Sequence, residues 1–204
     1  MNKKVISALV MGASLVTAAN CMAYESGDMV LRVGLANVNP NTSNDTVVPG
    51  LDVEDNTQIG IAGTYMLTNN IGLELLAATP FKHDITLNGA KVGETKHLPP
   101  TLSLQYYPME SGSAFQPYIG VGINYTAFFS ESTTGALAGT ELKLEDSWGL
   151  SAQLGVDYSI NDQWLVNAAV WRMDIDTNVE VNGADLGGLE IDPTVFMVGM
   201  GYKF

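Results

Sequence analysis

Taken in steps of two, the residues from Asp146 to Tyr158 separate cleanly. Trp148, Leu150, Ala152, Leu154, Val156 and Tyr158 alternate with Ser147, Gly149, Ser151, Gln153, Gly155 and Asp157. A helix turns about 100° per residue and cannot sort such a pattern into two faces, whereas a strand does so by construction. The same alternation runs through "PYIGVGINYTAFF" at 117 to 129 and through the C-terminal "FMVGMGYKF". The stretch "IGLELLAATPF", Ile71 to Phe81, is rich in Leu, Ala and Glu, which favour helices. Period two nevertheless makes it a strand, and Glu74 then has to face away from any apolar surroundings.

Eight such segments are expected, near 28 to 38, 57 to 67, 71 to 82, 96 to 107, 116 to 129, 146 to 159, 164 to 177 and 192 to 204. Each has about the length a tilted strand needs to cross a bilayer. Their connections alternate in length. Residues 68 to 70, 108 to 114 and 161 to 162 are short turns rich in Asn, Asp, Ser and Pro, and residues 39 to 56, 83 to 95, 130 to 145 and 178 to 191 are long polar or acidic loops. This predicts an all-β fold: an eight-stranded antiparallel transmembrane β-barrel with short periplasmic turns and long extracellular loops. A soluble sandwich or lipocalin-like barrel shares the alternation. The membrane version is favoured by Gly and small polar residues on the non-apolar face, by aromatics at segment ends (Tyr65, Phe81, Tyr106, Phe129, Trp148, Tyr158, Tyr202), and by a terminal Phe204.

The N-terminus and the charge agree with that class. Lys3 and Lys4 precede an apolar run from Val5 to Val16 and small residues closing at Ala23, the layout of a cleaved secretory signal peptide over residues 1–23, with the barrel occupying 24–204. The sole cysteine, Cys21, falls in the peptide; Asn20 before it is unlike the small residue preferred at a lipidation site. Removing Lys3 and Lys4 leaves seven basic against 22 acidic residues, a net charge of −15. Such a balance disfavours nucleic acid as a partner, because no basic stripe can neutralise phosphates. The chain is therefore expected in the outer membrane of a Gram-negative bacterium, with lipids and lipopolysaccharide around it and the barrel assembly machinery recognising Phe204.

The blocks "NIGLELLAATPF", "HLPPTLSLQYY", "PYIGVGINYTAFF", "DSWG", "WLVNAAVWRMDIDT" and "DPTVFMVGMGYKF", taken in order, resemble the OmpW family of small outer membrane proteins. The resemblance covers nearly the whole chain after residue 23 and is weakest in the loops. It implies a narrow hydrophobic channel thought to pass small apolar molecules, and Leu76 and Trp171 correspond to residues that line the lumen in that family.

Alternation assigns the lumen independently. Glu74 must avoid lipid, where a charge costs up to about 2–4 kcal/mol. That turns Gly72, Glu74, Leu76, Ala78 and Pro80 inward and Leu73, Leu75, Ala77 and Phe81 outward. Asn167 likewise turns Leu165, Ala169, Trp171, Met173 and Ile175 inward and leaves Arg172, Asp174 and Asp176 facing out above the membrane edge. A polar periplasmic plug of Arg32, Glu74, Asp157 and Lys203 is expected, below an apolar ligand-binding channel of Leu76, Trp171, Met173, Met66 and Met197. Pro80, Pro99 and Pro100 lie at similar height on adjoining strands, where a residue without an N–H weakens the ladder, and mark a candidate lateral opening.

The function expected is binding or passage of small hydrophobic ligands, with lateral release into the outer membrane. The alternative is a structural or receptor barrel docking phage, toxin or host factors. His83 and His97 flank one loop, but two imidazoles without a spaced carboxylate are a weak metal signal. Nothing calls for a cofactor. Catalysis is not expected, because Ser103 or Ser130 would have to reach a histidine and an acid at the rim.

Overall fold

The computed structural model describes residues 24–44, 50–110 and 112–204. The expected signal peptide, with Cys21, lies outside them. Fifteen strands are present among the described residues: β1 (Met29–Asn39), β2 (Ser43–Asn44), β3 (Leu51–Val53), β4 (Asn56–Met66), β5 (Ile71–Ala78), β6 (Phe81–Leu87), β7 (Ala90–Leu98), β8 (Thr101–Tyr106), β9 (Phe115–Thr133), β10 (Leu142–Leu144), β11 (Ser147–Ser159), β12 (Trp164–Met173), β13 (Asp176–Val181), β14 (Ala184–Glu190) and β15 (Thr194–Lys203).

Eight of these, in the order β1-β4-β5-β8-β9-β11-β12-β15, form a closed antiparallel barrel, with β15 pairing back onto β1 from Val30↔Lys203 to Asn39↔Thr194. Closure leaves no unpaired edge, which is what allows a sheet to sit in hydrocarbon. Alternation then divides the side chains. Leu35, Val121, Leu150 and Val198 are each more than 60% exposed on the outside, while Arg32, Glu74 and Asp157 are at most 1% exposed inside. Tyr65, Tyr106, Tyr158 and Trp164 form an aromatic band at the turn end, as interfacial anchors do.

The long connections depart from expectation, because they are largely strand rather than loop. β6 and β7 form a hairpin from Phe81↔His97 to Leu87↔Ala90, and β13 and β14 form another closing at Val181↔Ala184. Both turn on Asn-Gly. Asn88 and Gly89 have φ of 51° and 80°, and Asn182 and Gly183 have 51° and 76°. This is the twist-matched two-residue turn that Asn-Gly favours. The signal was in the sequence twice, as "LNGA" and "VNGA".

β9 is long enough to serve both storeys, pairing with β8 and β11 in the barrel and with β7 above. The outward faces of β6 and β7 carry Lys82, Asp84, Lys91, Glu94 and Lys96, so this upper storey stands above the lipid-facing belt. Inside it Leu51, Ile85, Val92, Leu144, Val179 and Leu189 are buried together, above a buried polar group of His83, Thr95 and His97.

One parity assignment is corrected. Phe81 is 2% exposed and faces inward, whereas Pro80 is exposed. β5 stops at Ala78 and the chain restarts as β6 at Phe81, so the bend at Thr79-Pro80 resets the alternation. For the same reason Phe81 is absent from the aromatic band.

Candidate functional site

The lower lumen is a hydrogen-bonded polar layer. β1 places Arg32 opposite Ala62 and Gly201, and its guanidinium grips Asp157 of β11 with two bonds, Nε to Oδ1 at 3.0 Å and Nη2 to Oδ2 at 2.5 Å. Nη1 donates to Thr64 Oγ1 at 2.6 Å and approaches Glu74 Oε2 at 3.4 Å; Nη2 donates to the Tyr107 hydroxyl at 3.0 Å. The second acid is held by Gln153, whose Nε2 donates to Glu74 Oε1 at 2.9 Å. Gln105 in turn donates to Gln153 Oε1 at 3.1 Å, and Asn167 donates to Asp157 Oδ1 at 2.8 Å. The Tyr118 ring lies 5.5 Å from the guanidinium carbon. Buried charges persist only when paired and hydrogen-bonded, and here one cation lies between two carboxylates with every polar neighbour engaged.

Residues 24–28 close the layer from below. Tyr24 is 3% exposed and donates from its hydroxyl to Asp157 Oδ2 at 2.5 Å. Thr64, Tyr107 and Tyr118 complete the set, and parity with Met66, Gln105 and Gly120 would have found all three. Tyr24 precedes the first strand, so no alternation could assign it. Lys203 lies at the rim rather than at the centre: its ammonium is 3.7 Å from Asp28 and its side chain is 16% exposed against 1% for Arg32. The reason is register, since Gly201 is the residue level with Arg32 and Lys203 comes two later.

Above the layer the lumen is lined by other chemistry. Leu76, Trp171, Met173, Val195 and Met197 surround a cavity of about 10 Å³, together with Ala36, Phe81 and Pro99. Thr101 Oγ1 and Met173 Sδ meet at 3.9 Å, bridging β8 and β12. Met66, expected here, is instead on the periplasmic side of the polar layer. β4 runs downward, Thr64 is level with Glu74, and Met66 is the next inward residue below, opposite Gly72.

The proline-bearing segments fall side by side. The β5–β8 ladder runs from Ile71↔Tyr106 to Leu76↔Thr101 and the β6–β7 ladder starts at Phe81↔His97, so Ala77 to Pro80 face Leu98 to Pro100 across a gap in the pairing. Pro99 is buried against the cavity, and Pro80 and Pro100 are exposed.

Higher still, His83 and His97 do come together, with rings stacked at 4.8 Å and 13° between planes. The His83 Nδ1 meets the Glu54 carbonyl, and Phe81 and Phe128 flank His97 at 5.6 and 5.8 Å. No group of three or more potential metal ligands occurs among the described residues. On β6, His83 lies between Phe81, which lines the barrel cavity, and Ile85, which lines a second, wholly apolar cavity of about 50 Å³ in the upper storey.

A polar floor, an apolar chamber and an extended outer storey in one eight-stranded barrel can be compared with known proteins. The OmpW family model matches residues 25–204. The chain belongs to the OmpW family. Outer membrane protein W of Vibrio cholerae is 48% identical over 217 residues, covering 99% of this chain and 100% of the relative. The crystal structure of OprG from Pseudomonas aeruginosa superposes with a TM-score of 0.81 at 42% identity, covering 89% of this chain and 98% of that one. The solution structure of the Escherichia coli outer membrane protein W gives 0.64 at 46% identity over 89% and 100%. The OmpW-family chain is thus an outer membrane β-barrel, with the short turns periplasmic and the upper storey extracellular.

Proposed function

We propose that this barrel takes up small hydrophobic molecules from outside the cell into the chamber bounded by Leu76, Trp171, Met173 and Met197, and releases them sideways into the outer membrane. The observation that carries the reading is the order of layers: an apolar chamber rests on a hydrogen-bonded charged floor, so an apolar solute finds favourable surroundings above and a desolvation barrier below. The gap in the ladder at Ala77–Pro80 and Leu98–Pro100 supports a sideways route, because separating the strands there breaks few hydrogen bonds. Membership of an outer membrane barrel family is consistent with such a role.

Binding is tested by native mass spectrometry of the refolded barrel with long-chain apolar ligands. Occupancy should fall at least tenfold in Leu76→Arg, which puts a cation into the chamber, and severalfold in Trp171→Ala. Unchanged occupancy in both, or a barrel indifferent to every apolar ligand, would return the chain to a structural or receptor role. The route is tested with Ala77→Cys/Pro100→Cys, one register step beyond Leu76↔Thr101. The oxidised pair should abolish transfer of an apolar solute into liposomes and reduction should restore it; full transfer in the oxidised form would eliminate lateral release.

A further inference from the structure

Beside the chamber the inward wall turns polar: Ser151 stands opposite Met173, and Asn124 opposite Thr101, which itself pairs with Leu76, although of the polar residues only Trp171 lines the cavity. Ser103, Asn124, Thr126, Ser151 and the Trp171 indole all carry buried polar atoms with no hydrogen-bond partner among the described residues, and in Asn124 both the amide oxygen and the amide nitrogen are unpartnered. Each of these residues is at most 6% exposed. In the floor of the same barrel the side-chain amides of Gln105, Gln153 and Asn167 all donate to partners, so lumen amides are not unpaired throughout.

Register puts the unpaired groups on one wall. Ser103 of β8 and Ser151 of β11 both stand opposite Gly122 of β9, and Asn124 is the next inward residue above it, opposite Gly149. Gly122 is required there, because a Cβ would meet the Ser103 Oγ at 2.5 Å. Trp171 stands opposite Gln153, one inward step below Ser151 on that strand. Strand spacing of about 5 Å and inward residues about 7 Å apart along a strand confine these groups to a single patch. The facing wall, from β15, β1 and β5, is apolar, with Val195, Met197, Ala36, Val38 and Leu76.

Resting on the reading of this chamber as the binding site, we propose that its ligand is amphiphilic and neutral: an aliphatic alcohol whose hydroxyl pairs with Asn124 and the serines while its chain lies along Leu76 and Met197. Buried polar groups left unpaired are unfavourable, and a ligand group able both to donate and to accept satisfies hydroxyl and amide partners together. An alkane leaves them unpaired. A carboxylate head finds no unpaired cation in the patch, and the charged groups below it are one guanidinium against two acids. The cavity of about 10 Å³ is smaller than a decyl chain, so entry moves Met173, an unbranched side chain suited to repacking.

The test uses the mature barrel refolded in nanodiscs and titrated with 1-decanol, n-undecane and decanoate, following the Asn124 side-chain amide and Trp171 indole signals by NMR. Decanol should shift both signals and bind about tenfold more tightly than undecane or decanoate, the discrimination of roughly one buried hydrogen bond. Asn124→Leu, and separately Ser103→Ala/Ser151→Ala, should erase that preference while undecane binds as before, in barrels whose heat-modifiable migration shows them folded. Undecane binding as tightly as decanol, with the variants no different, would mean that the wall is merely hydrated, and the amphiphile would be abandoned while the apolar chamber stands. Decanoate binding tightest would overturn the ligand class. If none of the three binds, the chamber reading falls together with this one.

Discussion

The floor and the chamber are built by the same strands, two to four residues apart, and by the same inward parity. On β5, Glu74 belongs to the floor and Leu76 to the chamber; on β12, Asn167 belongs below and Trp171 above. Yet the floor is a closed network in which Arg32, Asp157, Glu74 and their neighbours satisfy one another, whereas the apolar chamber adjoins a wall of unpaired polar atoms. The difference separates two tasks. A network whose members are hydrogen-bonded to one another fixes one arrangement and blocks passage, because displacing a member exposes a charge to low dielectric. A chamber lined by Met and Leu, with polar groups still to be paired, is suited to being filled.

The largest expected effect breaks the floor alone. Arg32→Met leaves Asp157 and Glu74 buried without their cation, and loss of one partner from a buried pair costs about 3–5 kcal/mol. Met173→Leu in the chamber conserves volume and should cost less than about 1.5 kcal/mol. Urea titration of the refolded variants in the same lipid measures both. Similar losses in the two would show that floor and chamber do not differ in rigidity, and the division of tasks would fail with it.

How far this architecture was legible in the sequence follows from what alternation can carry. Parity alone sorted Arg32, Glu74, Asp157, Leu76, Trp171 and Met197 to the inside, because a half-buried strand allows no other arrangement. It failed wherever parity was interrupted or height was needed. Parity turns Phe81 outward, whereas the Thr79-Pro80 bend resets the phase and turns it inward; parity equally puts Met66 with the chamber residues, since it does not reveal which row of the neighbouring strand a residue meets. Tyr24 lies outside any strand. The outer hairpins resemble loops in composition, because their polar outward faces mask the strand pattern and only the Asn-Gly turns that join them signal pairing.

Those turns give the next prediction, which compares the outer storey with the barrel. Gly89 and Gly183 have open space where a Cβ would go, so Gly89→Ala and Gly183→Ala probe backbone conformation without steric conflict. A left-handed position occupied by alanine costs about 1–2 kcal/mol. The cost should be confined to its own hairpin, accelerating amide exchange in β6–β7 or β13–β14 respectively and leaving the urea midpoint of the barrel unchanged. A shift of that midpoint would show that storey and barrel unfold as one unit, and the upper region would then be part of the same rigid frame as the floor.

The smallest effect concerns His97, in the storey above the lipid belt. Burial, and next the neighbouring His83, push the His97 imidazole down from 6.5 to about 3. The groups packed against it are the rings of Phe81, His83 and Phe128, none of which offers a negative charge. An unfolded His97 therefore takes up a proton near pH 6.5 that the folded ring refuses until about pH 3. Its contribution to the stability of the storey is complete above pH 6.5 and declines as the pH falls from there towards 3. The ring resonances of His97 should accordingly show no titration between pH 8 and 5. Amide exchange in β6–β7, corrected for its intrinsic pH dependence, should be faster at pH 5 than at pH 7.5, and His97→Phe should reduce the difference, leaving the part that comes from His83, whose imidazole burial also pushes down. The floor, whose paired groups gain nothing from this proton, should exchange alike at both values. A His97 that titrates near 6.5 would mean that the stacked rings are open to water, and the storey would then be a wet vestibule rather than a closed cap.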